Sequence, residues 1–130
     1  MALKITLKPQ EKMIIGGAVL TNPNNSSCNL VIENKIPILR QKDIMNEEAA
    51  DSPCRRIYFV IQLMYIDEND LLAYQNKYWN LVHDVVQAAP SMTGLIDSIS
   101  EHILKRNYYQ ALKMAQKLTE YEQEAISRVK

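Results

Sequence analysis

Glycine, cysteine and tryptophan are scarce in this 130-residue chain, with three, two and one copies. The shortage of glycine leaves no loop able to cradle a nucleotide phosphate. The single pair, Gly16-Gly17, lacks the following Lys-Ser/Thr that such a loop needs. Cys28 and Cys54 have no C-x-x-C spacing, so neither a zinc site nor a redox pair is expected, and two reduced thiols in a cytoplasmic protein are. Long apolar runs are also missing. The longest, Ile57 to Ile66, is about half the length a bilayer requires and is broken by Gln62. Lys4, Lys8 and Lys12 interrupt the first apolar stretch, so it does not read as a secretion leader. No repeat or low-complexity segment occurs. The 15 basic residues balance the 15 acidic ones, so bulk charge predicts no polyanionic partner.

The distribution of charge is more informative than its sum. Residues 1–42 carry six basic residues against two acidic ones, and residues 43–130 carry nine against thirteen. A basic end followed by an acidic remainder suggests one end facing a polyanion and the other facing solvent or protein. Ordinary surface charge would give the same imbalance.

Hydrophobic periodicity divides the chain in the same region. Leu3, Ile5 and Leu7 alternate with Lys4, Thr6 and Lys8, the pattern of a half-buried strand. Met13–Ile15, Ala18–Thr21, Cys28–Ile32 and Ile36–Leu39 read as further short strands, separated by Gly16-Gly17, by the polar run 22–27 and by 33–35. Pro37 marks the last as an edge or a strand end. Residues 42–49 suit a short helix. Asp51 or Ser52 can cap a helix with Pro53 in its first turn. That helix, to about residue 66, is apolar nearly all round and must be buried. Leu71, Tyr74, Tyr78, Leu81, Val82, Val85 and Ala89 form the stripe of a second helix, ended by Pro90. Met92, Leu95, Ile96, Ile99 and Ile103 mark a third. Asn107 and Gln110 resemble a capping box before a fourth helix, whose charged tail is expected to fray. Strands first and helices afterwards give an α+β fold: a small antiparallel N-terminal sheet in residues 1–50, then about four helices in residues 51–130.

No catalytic constellation emerges. His83 and His102 stand alone on helices, without a second metal ligand one turn away. Asp67, Glu68 and Asp70 cluster but read as a helix start. Cys54 beside Arg55 and Arg56 could have a lowered thiol pKa, but nothing resembling a catalytic base accompanies it. The expectation is a non-enzyme with no cofactor and no metal.

The remaining feature is a basic strand face. Lys4 and Lys8 flank Thr6 on one side of the first strand, Lys12 follows, and Arg40 and Lys42 end the last strand. Such cations suit phosphate, with arginine adding a planar fork. Lysines that protect an exposed strand edge are the alternative.

Taken together, several segments resemble the FlbT family of flagellin regulators of alpha-proteobacteria. They are Leu3-Lys4, Leu7-Lys8-Pro9, Ile14-Ile15-Gly16, Pro37-Ile38-Leu39-Arg40, Lys42-Asp43-Ile44 and Arg56-Ile57-Tyr58. Gln62-Leu63-Met64-Tyr65, Val86-Gln87-Ala88-Ala89-Pro90, Tyr109 and Ala111-Leu112-Lys113 continue the match in order along nearly the whole chain. The resemblance implies a protein that binds the 5′ untranslated region of flagellin mRNA, represses flagellin synthesis and promotes decay of the transcript; in some members the effect on flagellin is positive. The first third also resembles the CsrA translational regulators. Ile5-Thr6-Leu7-Lys8, Glu11, Met13-Ile14-Ile15-Gly16 and Leu39-Arg40-Gln41-Lys42-Asp43-Ile44 are similar to that family's opening strand, its G-E-x-x-M-I-G segment and its H-R-E-E-I end. Leu7 and Leu39 depart from its arginine and histidine, and one extra residue precedes Ile44.

The CsrA likeness implies RNA contacts by Ile5, Thr6, Lys8 and Arg40, to which the basic face adds Lys4, Lys12 and Lys42. It also implies a homodimer with interleaved sheets. Residues 1–42 contain no aromatic ring, so RNA contact there would rest on phosphates, hydrogen bonds and aliphatic packing rather than on stacking. A second reading is a protein adaptor of flagellar assembly that binds a flagellin, its chaperone or another regulator in a groove of Tyr58, Phe59, Met64 and Tyr65. In that reading's simplest rival, these residues are core.

Overall fold

A computed structural model of the chain describes residues 2–129. Five strands precede four α-helices, so the α+β order expected from periodicity is the order observed. The chain divides into two compact units, Met1–Ile44 and Met45–Lys130.

The first unit holds β1 (Leu3–Leu7), β2 (Lys12–Ile15), β3 (Ala18–Thr21), β4 (Cys28–Ile32) and β5 (Ile38–Arg40). These form two small antiparallel sheets: β1 pairs with β4, and β2 lies between β3 and β5. Leu3 faces Ile32 and Leu7 faces Cys28 across the first ladder; Met13 faces Leu20 and Arg40 on either side of β2. Alternation determines the faces. Ile5, Leu7 and Met13 are buried together, with Ile15, Leu30, Ile32 and Ile38 packed around them. Each such side chain, fully buried, stabilises the fold by roughly 1.5–3 kcal/mol.

Two turns set the register. Gly16 and Gly17 both have positive φ, 59° and 87°, as a tight hairpin between β2 and β3 requires. A Cβ on Gly16 would sit 2.4 Å from Ile36 Cδ1. Between β1 and β2, Pro9 is followed by left-handed Gln10 at φ 64°, the pattern of a type II turn.

The second unit is helical. The single short helix expected over 42–49 is not formed. Two separate 3-10 turns, Gln41–Asp43 at the end of the first unit and Glu47–Ala49 in the second, take its place. The reason lies in Gln62, which is buried on α1 (Pro53–Ile66). Its side-chain amide accepts from Met45 N–H at 2.8 Å and donates to Met45 C=O at 3.0 Å. A residue whose two backbone groups are both claimed in this way cannot also serve a helix. Ser52 caps α1 by accepting from Arg55 N–H, and Pro53 opens it, as its sequence suggests.

α1 packs against α2 (Leu71–Ala88) and α4 (Tyr108–Val129), and α3 (Thr93–Leu104) packs against α4. Ile57, Ile61, Tyr78, Ile99, Leu112 and Leu118 are among the fully buried side chains. α4 runs unbroken to Val129 despite its mixed charge. Its last turns carry an exposed Arg128–Glu124 pair at 2.8 Å and Ser127 Oγ donating to Gln123 C=O. Among the described residues, no helix is long and apolar enough to cross a membrane.

Candidate nucleic-acid interface

The candidate residues occupy the first unit, and its topology determines which of them meet. On β1, Lys4 and Thr6 point away from the core and are exposed, whereas Ile5 between them is buried. Ile5 therefore presents no side chain to a ligand. Lys8 is exposed just past the strand; Lys12 is exposed at the start of β2, and Lys42 in the turn after β5. Lys4 and Thr6, two residues apart on a strand, are separated by about 7 Å along it.

Arg40 on β5 joins this group through hydrogen bonds. Its Nη2 donates to the Thr6 carbonyl at 2.8 Å and reaches both Glu11 carboxylate oxygens at 3.3 Å. Arg40 is thus a tie between β5, β1 and the turn that leads into β2. Part of its fork is already engaged before any ligand arrives. Lys12 N–H donates to Gln41 Oε1 at 2.7 Å, which holds the end of β5 against the start of β2 and places Lys42 close by in sequence.

The Lys8–Glu11 turn is braced from two directions. Lys8 N–H donates to Glu11 Oε1 at 2.8 Å. That bond, opposed by some desolvation and assisted by Arg40 and the Lys8 charge, holds the Glu11 carboxyl below the usual glutamate value. From the other side, buried Asn22 donates through Nδ2 to the carbonyls of Leu7, Lys8 and Ser26. Its backbone exchanges hydrogen bonds with Gln10 and Glu11. Thr6 Oγ1 donates to Asn29 Oδ1 on the neighbouring strand. The Arg40 guanidinium and the Glu11 carboxylate therefore meet beside the backbone of Thr6 and Lys8, with Lys4 further along β1. In the sequence Glu11 reads as a negative charge and as part of the CsrA-like segment, not as a partner of Arg40. Its place three residues after Lys8, across a Pro-Gln turn, was the available signal for a carboxylate set among the cations.

The chemistry set aside on sequence grounds has structural counterparts. Burial, reinforced by Glu122, pushes the Cys54 thiol up to about 12, against the lowered value that its two neighbouring arginines suggested. Glu122 instead accepts from the Cys54 N–H and the Ser52 hydroxyl at the start of α1. Asp67 accepts from Tyr74 OH at 2.6 Å and from Asn69 N–H at 3.0 Å, so it closes the loop between α1 and α2. Among the described residues, no three His, Cys, Asp or Glu side chains gather in a way that could hold a metal ion. Tyr58 and Met64 are buried, while Phe59 and Tyr65 are half-buried.

Residues 3–126 match the family model described as "Flagellar protein FlbT". The chain belongs to the FlbT family. A relative from Rhodopseudomonas palustris (strain TIE-1), named "Probable flagellum biosynthesis repressor protein FlbT", is 40% identical over 128 residues, covering 98% of this chain and 100% of the relative. One from Bradyrhizobium diazoefficiens, "Probable flagellum biosynthesis repressor protein FlbT 1", is 42% identical over 123 residues, 95% of this chain and 84% of its own length. The Caulobacter vibrioides "Flagellum biosynthesis repressor protein FlbT" is 37% identical over 131 aligned residues, 99% of this chain and 92% of the relative. The family resemblance carried by scattered motifs therefore extends over the whole chain. No solved structure matches it.

Proposed function

We propose that this FlbT-family chain represses flagellum biosynthesis in the cytoplasm by holding the leader of a flagellin mRNA on its β unit and promoting that transcript's decay. The names of its relatives support the repressor role. The RNA reading rests chiefly on one observation. Lys4 on β1 and Lys8 just past its end are exposed, and Arg40 from β5 is bonded to the same strand at Thr6. Cations on one rigid strand can neutralise successive phosphates, because phosphate contacts supply sequence-independent affinity and register. Lys12 and Lys42 extend the same charge. The protein itself would act as a clamp, with the cell's own nucleases removing the message.

The unit would act as a homodimer. Among the described residues, β1, β3, β4 and β5 each have a neighbouring strand on one side only. A two-stranded sheet is marginal in water, and open edges invite pairing. A second copy supplies strands of matching length.

The RNA reading is tested by a gel shift of flagellin leader RNA with the wild type and with Lys4→Ala and Lys8→Ala. Weaker binding by both variants, with thermal midpoints unchanged, is the expected outcome. Equal binding by all three proteins would remove the assigned face.

A further inference from the structure

The outward face of the β1–β4 ladder carries side chains of four different kinds. Residues directly opposite each other on antiparallel strands share a face. Lys4 stands opposite Val31, and Thr6 opposite Asn29. All four are exposed, whereas Ile5 and Leu7 are buried and Leu30 and Ile32 half-buried. One small surface thus offers a cation, a hydroxyl, an amide and, in Val31, an aliphatic side chain that is 55% exposed.

Asn29 is the member of this set that the fold explains least. Asparagine is depleted in strands, yet it lies inside β4 between Cys28 and Leu30. Its Oδ1 accepts from Thr6 Oγ1 at 3.1 Å. A threonine at this position could make a similar cross-strand bond and suit the strand better. What asparagine adds is the amide nitrogen. Among the described residues nothing accepts from that nitrogen, so both of its N–H groups remain for a ligand. The Thr6 bond engages one lone pair of the amide oxygen, leaves the other, and restrains the way the amide points.

An amide places a donor beside an acceptor, the pattern found along base edges, whereas a phosphate offers acceptors alone. Lys4, diagonal to Asn29 at roughly 7–8 Å, suits a phosphate instead. Residues 1–44 contain no aromatic ring, so Val31 supplies apolar contact where a stacking ring would otherwise stand.

We propose that Asn29 reads an unpaired base of the bound RNA through its side-chain amide, with Thr6 as its positioning residue and Lys4 on a neighbouring phosphate. This deepens the RNA reading above and rests on it. It assigns sequence preference to an uncharged strand, β4, and separates that preference from the salt-dependent grip of the lysines.

The test uses the full-length protein with two RNAs, the flagellin leader and a shuffled sequence of the same length and base composition. Affinity for each is measured over a range of salt. Wild type is expected to prefer the leader. Asn29→Thr is expected to weaken leader binding about tenfold, the size of one base contact. Its affinity for shuffled RNA and its salt slope should match wild type, because a neutral contact releases no counterions. Its thermal midpoint should equal or exceed that of wild type. Thr6→Val, which keeps the branched shape, should lose part of the preference, and Lys4→Ala should weaken both RNAs alike with a shallower slope. Full preference for the leader in Asn29→Thr overturns the proposal, and the phosphate reading stands if Lys4→Ala still weakens both RNAs. Equal loss on the two RNAs by Asn29→Thr, with a shallower slope or a lower thermal midpoint, overturns it too. Full preference in Thr6→Val removes the positioning role of Thr6. Wild type binding both RNAs equally leaves a clamp without base reading and overturns the proposal alone; wild type binding neither brings down both readings.

Discussion

At the scale of single residues, Glu11 decides how the basic surface behaves. It sits between Lys8 and Arg40, accepts hydrogen bonds from both, and is held more acidic than an ordinary glutamate. A carboxyl whose pKa is lowered by folding supplies stability above its unfolded value and loses it as pH falls through the folded one. Its contribution should therefore be full at neutral pH and drain away below the ordinary value of 4.5. Glu11→Gln keeps an acceptor for Lys8 N–H but removes the charge opposite Arg40. The variant is expected to be less stable than wild type at neutral pH and to lose less on acidification, as thermal midpoints across the acid range will show. The same substitution removes the one carboxylate set among Thr6, Lys8 and Arg40, so it should tighten RNA binding. Weaker RNA binding by a folded Glu11→Gln protein would mean that the Arg40 tie, rather than its charge, is what RNA requires.

At the scale of elements, much of the fold was legible. Period-two alternation identified β1, and Ser52-Pro53 identified the start of α1, because both signals are local. The assortment of five strands into two sheets was not legible. Alternation tells which face a side chain takes, not which strand lies beside it. The Arg40–Glu11 tie spans 29 positions and left no trace in spacing, so Arg40 read as a free cation. The short helix over 42–49 failed for a comparable reason, since the side chain that prevents it, Gln62, comes from α1. Gln62→Leu removes both hydrogen bonds to Met45 and leaves that residue's N–H and C=O without their partners. A loss of about 2–4 kcal/mol in chemical denaturation is expected. The open strand edges carry another prediction at this scale. Light scattering at micromolar concentration should give the mass of two chains, and a monomer alone would contradict the homodimer.

For the molecule as a whole, the two units divide the chemistry. The β unit carries an excess of positive charge and no aromatic ring; the helical unit carries every aromatic ring, a net negative charge and the buried apolar core of four helices. The candidate β-unit site was legible as a set of residue types, since Lys4, Lys8, Lys12 and Lys42 are exposed as their alternation and polarity indicate. It was not legible as a geometry, because Ile5 turns inward and Arg40 is bonded within the fold. Such a surface binds through counterion release, and its affinity has to depend on salt. The most direct measurement is the slope of log affinity for flagellin leader RNA against log salt. If Lys4, Lys8, Lys12 and Lys42 each meet a phosphate, the wild-type slope should be about −3, and Lys4→Ala with Lys8→Ala together should make it shallower by about 1.4. A slope that stays the same in the folded double variant, or wild-type binding indifferent to salt, would contradict the account.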